Sequence, residues 1–144
     1  MTLIVDTAPI VALADRHDDR RGAVSRALQL ERGRLIVPAP ISAEIDYMLG
    51  SRVGRQARLS WLQDVANGDF EVQCLDFPEY QAIVTLENRY AALSPGLADL
   101  SIVVLAQRFN TRRVLTFDAR HFRAITPLQG GQFEILPERR ESEP

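Results

Sequence analysis

Apolar positions in this chain fall into two kinds of run. Leu3-Ile4-Val5, Leu35-Ile36-Val37 and Val114-Leu115-Thr116-Phe117 are short clusters without strict alternation, and Phe70 to Leu75 is a further short run. Runs of this length predict strands buried on both faces, as in a parallel sheet. Phe133-Glu134-Ile135 supplies a candidate fifth strand. Between the strands, stretches with helical recurrence predict helices over about 9–14, 21–30, 41–49, 55–66, 78–92 and 97–109. Gly33 and Gly50 read as helix stops, Asn67-Gly68 as a C-terminal signal, Pro78 as a helix opener, and Ser94-Pro95-Gly96 as the turn that starts the last helix. The segment Asp15-Arg16-His17-Asp18-Asp19-Arg20 carries mixed charge and reads as a solvated loop. Strands separated by helices give an α/β class with a four- to five-stranded parallel sheet. One domain is expected over 1–136, and the charged tail at 137–144 is expected to be disordered.

Composition narrows the class without naming a function. Hydrophobic residues make up 46% of the 144 and charged residues 25%, enough for one sizeable core. No apolar run approaches the roughly 18 residues of a membrane span. Met-Thr-Leu-Ile-Val-Asp at the start has no basic n-region, so no signal peptide and a cytoplasmic location are expected. A lone cysteine, Cys74, leaves no internal disulfide framework and no cysteine-based zinc site. The net charge of −2 does not by itself suggest nucleic acid. All 17 basic residues, however, are arginine, and guanidinium groups grip phosphate in bidentate fashion.

Ligands in open parallel sheets bind outside the carboxyl ends of the strands. Asp6 directly follows the first strand and Asp118 the fourth. Asp99 falls on the helical stripe of Ile102, Val103 and Ala106, on a helix apolar nearly all round. An ionised carboxylate there needs a cation or strong hydrogen bonds. The helix N-terminus offers about 0.3–1 kcal/mol, against a desolvation cost of several kcal/mol. On the helix after the second strand, Glu44 lies at the edge of the stripe of Ile41, Ile45, Met48 and Leu49, aimed at the sheet end. Asp46 falls on the opposite face and reads as a plain exposed acid.

Four carboxylates are thus expected to converge: Asp6, Glu44, Asp99 and Asp118. Left bare, such a cluster repels itself; a hard divalent cation, Mg²⁺ or Mn²⁺, resolves the repulsion. Zinc is disfavoured, because neither of the two histidines has ligand spacing. A metal so held activates water and stabilises charge on a phosphate, which is phosphodiester hydrolysis. Thr7 and Thr116 are placed to hydrogen-bond the acids. Arg120 and Arg123 are candidate phosphate contacts, and His121 reads as a supporting or surface residue.

The motifs resemble a known family. Ile4-Val5-Asp6-Thr7, Ala43-Glu44-Ile45-Asp46-Tyr47, Gly96-Leu97-Ala98-Asp99-Leu100-Ser101-Ile102-Val103 and Leu115-Thr116-Phe117-Asp118-Ala119-Arg120-His121-Phe122 resemble, in order, the four acidic motifs of PIN domains. The resemblance covers the chain to about Leu136 and is nearest to the VapC toxins. It implies a PIN-like α/β/α sandwich, homodimerisation, and Mg²⁺- or Mn²⁺-dependent endoribonuclease activity. It also implies structured RNA, transfer or ribosomal, as substrate and a VapB-type antitoxin that blocks the site. Family members often carry a hydroxyl or amide two residues after the first aspartate; Ala8 stands there.

Rival folds fit poorly. A receiver domain needs a lysine after a late strand, and this chain has none. A haloacid-dehalogenase-like phosphatase needs a second aspartate where Ala8 stands, and a von Willebrand-type adhesion module needs serines where Ala8 and Ile10 stand. The remaining alternatives keep the fold: a housekeeping PIN-domain ribonuclease without antitoxin, or a PIN module that binds RNA without cutting it.

Overall fold

The computed structural model describes residues 1–138. Strands β1 (Thr2–Val5), β2 (Arg34–Pro38), β3 (Glu71–Gln73), β4 (Arg113–Leu115) and β5 (Glu134–Leu136) form one parallel sheet in the order β3-β2-β1-β4-β5. The helices among the described residues are α1 (Thr7–Ala14), α2 (Arg21–Leu30), α3 (Ala39–Met48), α4 (Arg55–Ala66), α5 (Phe77–Arg89), α6 (Gly96–Arg108) and α7 (Ala119–Ala124). None is long and apolar enough to cross a membrane.

The strand order decides where a site can form. The chain steps from β1 to β2 to β3 in one direction, then returns to lay β4 on the other side of β1. Right-handed crossovers then put α1 to α4 on one face and α5 to α7 on the other. Between β1 and β4 the winding reverses, and the connections part to leave a crevice at the carboxyl ends. Val5 pairs with Leu115, so Asp6 and Thr116 leave the sheet side by side.

Apolar burial holds that crevice still. Leu3, Ile4, Val5, Ile36, Val37, Val114 and Leu115 have no solvent exposure. The expectation of strands covered on both faces is met for β1, β2 and β4, while the edge strands β3 and β5 are only partly buried. Helix α6 is the central helix, with every residue from Leu100 to Ala106 buried. The one hydroxyl in that run, Ser101, donates to the Ala98 carbonyl at 2.6 Å.

Several boundaries differ from the sequence-based ones, each for a local reason. Helix α5 starts at Phe77 because Asp76 and Glu79 form a reciprocal capping box ahead of Pro78, and it ends at Arg89 rather than near 92. Gly50 stops nothing: the helical path runs through it as a π-helical turn, Leu49–Val53, closed by Gly54 N–H to Leu49 O at 2.8 Å. The break falls at Gly54, whose φ of +142° suits glycine alone. Gly33 is not a helix stop either, since α2 has already ended at Leu30. A Cβ there would lie 1.3 Å from the Met1 carbonyl oxygen, so glycine is needed for close passage beside β1. Ser94 makes no capping bond to α6; Glu87 of α5 accepts from Gly96 N–H instead, at 2.9 Å. Helix α7 had no periodic signal at six residues. Of the expected tail, residues 139–144 lie outside the described residues.

Candidate active site

Two acids enter the crevice from the reversal itself. Asp6 follows β1, its N–H donating to Leu115 O at 2.9 Å. Its Oδ1 accepts from the N–H of Thr7 at 2.8 Å and its Oδ2 from the Thr116 hydroxyl at 2.7 Å. The Thr116 oxygen in turn accepts from the N–H of Asp118 at 3.0 Å. One hydroxyl, 2% exposed, therefore ties the acid after β1 to the acid after β4. Thr116→Val keeps the shape but strips both bonds. It should slow RNA cutting about 10–100-fold and cost about 1–3 kcal/mol of stability. Thr116→Ser should recover most of both, as read by cleavage rate and urea unfolding.

The third acid arrives on the central helix and meets a histidine. Asp99 lies in the first turn of α6. Asp118 caps α7, its Oδ1 accepting from His121 N–H at 3.2 Å. That single turn brings His121 Nδ1 to 2.7 Å from Asp99 Oδ2 and 2.7 Å from Asp118 Oδ2. Glu44, on α3, lines the same cavity of about 550 Å³ as Asp6, Asp99 and Asp118. All four acids singled out in the sequence thus line one cavity. Of them, Asp99 and Asp118 fall into a compact ligand group, with His121 rather than Asp6 or Glu44 as its third member.

The grouping is electrostatically costly. Burial pushes the Asp99 carboxyl up to about 6; the His121 contact opposes the shift, and the charges of Asp6 and Asp118 add to it. Asp6 is also raised, chiefly by burial, with the Thr116 and Thr7 bonds opposing and Glu44 and Asp118 adding. Carboxylates held near one another in this way invite a cation. Ligand atoms of Asp99, Asp118 and His121 all lie within 4.8 Å of one another. The Thr7 hydroxyl is buried without a hydrogen-bond partner. An oxygen-rich donor set of this kind fits a hard divalent ion.

Other residues fall differently from expectation. The hydroxyl of Thr7 makes no bond to an acid; only its backbone does. Arg120 and Arg123 are exposed on α7 and do not line the cavity. Arg20 and Arg52 line it instead, with Asp15 and Asp18 from the segment taken for a solvated loop. Neither arginine was singled out in the sequence: Arg20 sits in the mixed-charge segment, and Arg52 is carried there by a π-helical turn. His121 touches two acids rather than sitting apart.

Asp46 is half-buried and pairs with Arg58 of α4, Oδ1 lying 2.7 Å from Nε at an angle poor for a hydrogen bond. It is therefore not the plain exposed acid expected, though it stays out of the cavity. Asp46→Asn should cut RNA at the wild-type rate and lose at most about 1 kcal/mol, by the same two assays.

Comparison with known proteins bears on the family and the fold. No protein-family model matches the chain. Ribonuclease VapC26 of Mycobacterium tuberculosis is 35% identical over 135 residues, spanning 94% of this chain and 100% of that protein. The crystal structure of M. tuberculosis VapC20, a sarcin–ricin loop cleaving toxin, superposes with a TM-score of 0.74 at 16% identity. It covers 81% of this chain and 90% of that one. Rickettsia felis VapBC2, bound to a promoter DNA fragment, gives 0.70 at 18% identity, covering 94% and 98%. At such identities the two structures establish a shared fold. Descent rests on the relative matched along its full length, and by that measure this chain belongs to the VapC family of PIN-domain ribonucleases.

Proposed function

We propose that the chain is the toxin of a toxin–antitoxin pair. It is an Mg²⁺- or Mn²⁺-dependent endoribonuclease that hydrolyses phosphodiester bonds in structured RNA, transfer or ribosomal, and a VapB-type antitoxin neutralises it. The observation that carries this reading is the convergence of Asp6, Glu44, Asp99 and Asp118 on one cavity at the reversal of the sheet. The ribonuclease VapC26 and the loop-cleaving toxin VapC20 support it as relatives in sequence and in fold. Such substrates place its action in the cytoplasm.

Asp6, Glu44, Asp99 and Asp118 would hold the ion, with His121 beside them. Bound there, a divalent ion would lower the pKa of a water and stabilise charge building on the phosphate. In the reaction the water oxygen joins phosphorus, one ester P–O bond breaks and the leaving oxygen takes a proton. The chain's own work is alignment. Thr116 fixes Asp6 Oδ2 and the Asp118 backbone together. His121 Nδ1, equidistant from Asp99 and Asp118, can share one hydrogen between two carboxylates that would otherwise part. Arg120 and Arg123, exposed on α7, are placed to contact the strand outside the cavity. An outward stripe on α5, Phe77, Tyr80 and Val84, supports the homodimer as the working form.

The test is sequencing of new RNA ends after total bacterial RNA meets the purified protein with Mg²⁺ or Mn²⁺. Discrete cuts that vanish with a chelator are expected. Their absence, or cuts that a chelator leaves untouched, would overturn the reading.

A further inference from the structure

An acidic cavity must still accept a polyanion, and the four acids repel the phosphates they are to cut. Something on the cavity wall has to offset that repulsion before chemistry begins. The exposed arginines of α7 do not line the wall; Arg20 and Arg52 do.

Arg20 is held unusually well for a residue in a surface turn. Its Nε and Nη2 donate to Asp18 Oδ1 and Oδ2 at 3.0 and 2.9 Å, and its own N–H donates to the same Oδ1 at 2.8 Å. Its guanidinium lies 4.0 Å above the centroid of the Phe117 ring. Phe117 stands between Thr116, which binds Asp6, and Asp118 itself. The stacking therefore references the guanidinium to the acids through two adjacent residues of backbone. One edge of the fork is taken by Asp18, and the opposite edge keeps its donors. A guanidinium fixed on an aromatic face loses little freedom when it meets phosphate, which is where arginine outperforms lysine. Arg52 reaches the same cavity from the π-helical turn and pairs with no carboxylate among the described residues.

We propose that Arg20, clamped between Asp18 and Phe117, and Arg52 form the phosphate-binding pair that seats the RNA backbone beside the acids. The inference rests on the nuclease reading and adds to it the residues that hold the substrate.

The experiment uses the full chain carrying Asp99→Asn, so that bound RNA stays whole, with unfractionated transfer RNA as the probe and Mg²⁺ present. Binding is titrated from 50 to 200 mM salt. Adding Arg20→Ala or Arg52→Ala should weaken binding about tenfold. Each should also flatten the slope of log K against log salt by about 0.7–0.9, the loss of one phosphate contact. Arg20→Lys should keep the slope, because the charge remains, yet lose affinity, because the fork and the stacking are gone. Arg32→Ala is the charge-matched control. Arg32 is exposed at the amino end of β2, the far end of the sheet, and should bind like the parent. If Arg20→Ala and Arg52→Ala match Arg32→Ala in affinity and slope, the pair does not hold RNA and the inference fails alone. If the parent binds no RNA at any salt, the nuclease reading fails and takes the inference with it.

Discussion

Replacing Asp99 with asparagine will abolish RNA cutting and, in metal-free protein, raise the melting temperature. The two effects share a cause. Asp99 is packed in the first turn of the central helix against other acids, and its carboxyl is raised to about 6, burial first. The unfolded chain would ionise it near the usual value of 3.8. Between those values the folded protein holds a proton that the unfolded one has released. Stability therefore falls as pH rises through this window and is recovered as pH drops below about 6. A shift of this size corresponds to at most about 3 kcal/mol; with partial solvent screening, about 1–2 kcal/mol is expected. The asparagine side chain carries no charge to desolvate and still offers His121 an oxygen. Metal-free Asp99→Asn should melt about 3–8 °C higher at pH 7, about half as much higher at pH 5, and at nearly the wild-type temperature only below the unfolded value of 3.8. Cutting, measured with Mg²⁺ or Mn²⁺, should drop by at least about 10²-fold. A mutant that cuts normally, or one that melts lower at both pH values, would remove Asp99 from the site or remove the strain from Asp99.

Arg113→Met should be the most damaging single change to stability away from the site. The Glu31 carboxylate is only 2% exposed and depends on Arg113, with Gly33 N–H as its other donor at 2.9 Å. Without the guanidinium a charge is left buried and nearly unpartnered, a loss of about 3–5 kcal/mol. In urea that lowers the midpoint by about 1–3 M. Adding Glu31→Leu removes the stranded charge and should restore most of the loss, because a buried pair is worth far less than its halves suggest. Both residues lie at the amino ends of the strands, opposite the acids, so folded Arg113→Met should cut at the wild-type rate. If the double variant is no more stable than the single, burial of an unpaired charge is not the reason.

The sheet and the acids were legible in the sequence because their signals are local. Val5-Asp6 and Phe117-Asp118 announce strand ends by an abrupt change from apolar to acidic. Asp99 was visible as the one charge on a helical stripe that has no other reason to carry it. What stayed hidden depends on how separate segments fold over one another. Arg20 belongs to a turn with no periodicity, and its place over Phe117 follows from how α1 and α2 pack. Arg52 depends on a π-helical turn, whose wider hydrogen bonding leaves no mark in residue type. His121 depends on Asp118 capping a helix of six residues, too short for a period to be read. Gly33 misled for the opposite reason. A glycine after a helix looks like a stop, but this one makes room for another strand's backbone.

The long stretch of sequence between Asp6 and Asp118 bears on when the site can form. During translation β1 emerges first, and its neighbour β4 is made only after β2, β3 and six helices. Thr116, which must hold Asp6, lies 110 residues downstream of it. Until that stretch has left the ribosome, Asp6 and Glu44 have neither Asp99 nor Asp118 beside them. Non-local pairing of this kind is also among the slower events in folding. A nascent chain therefore cannot complete the acid cluster before β4 has emerged, because the acid after β1 waits for the hydroxyl and the acid that follow β4.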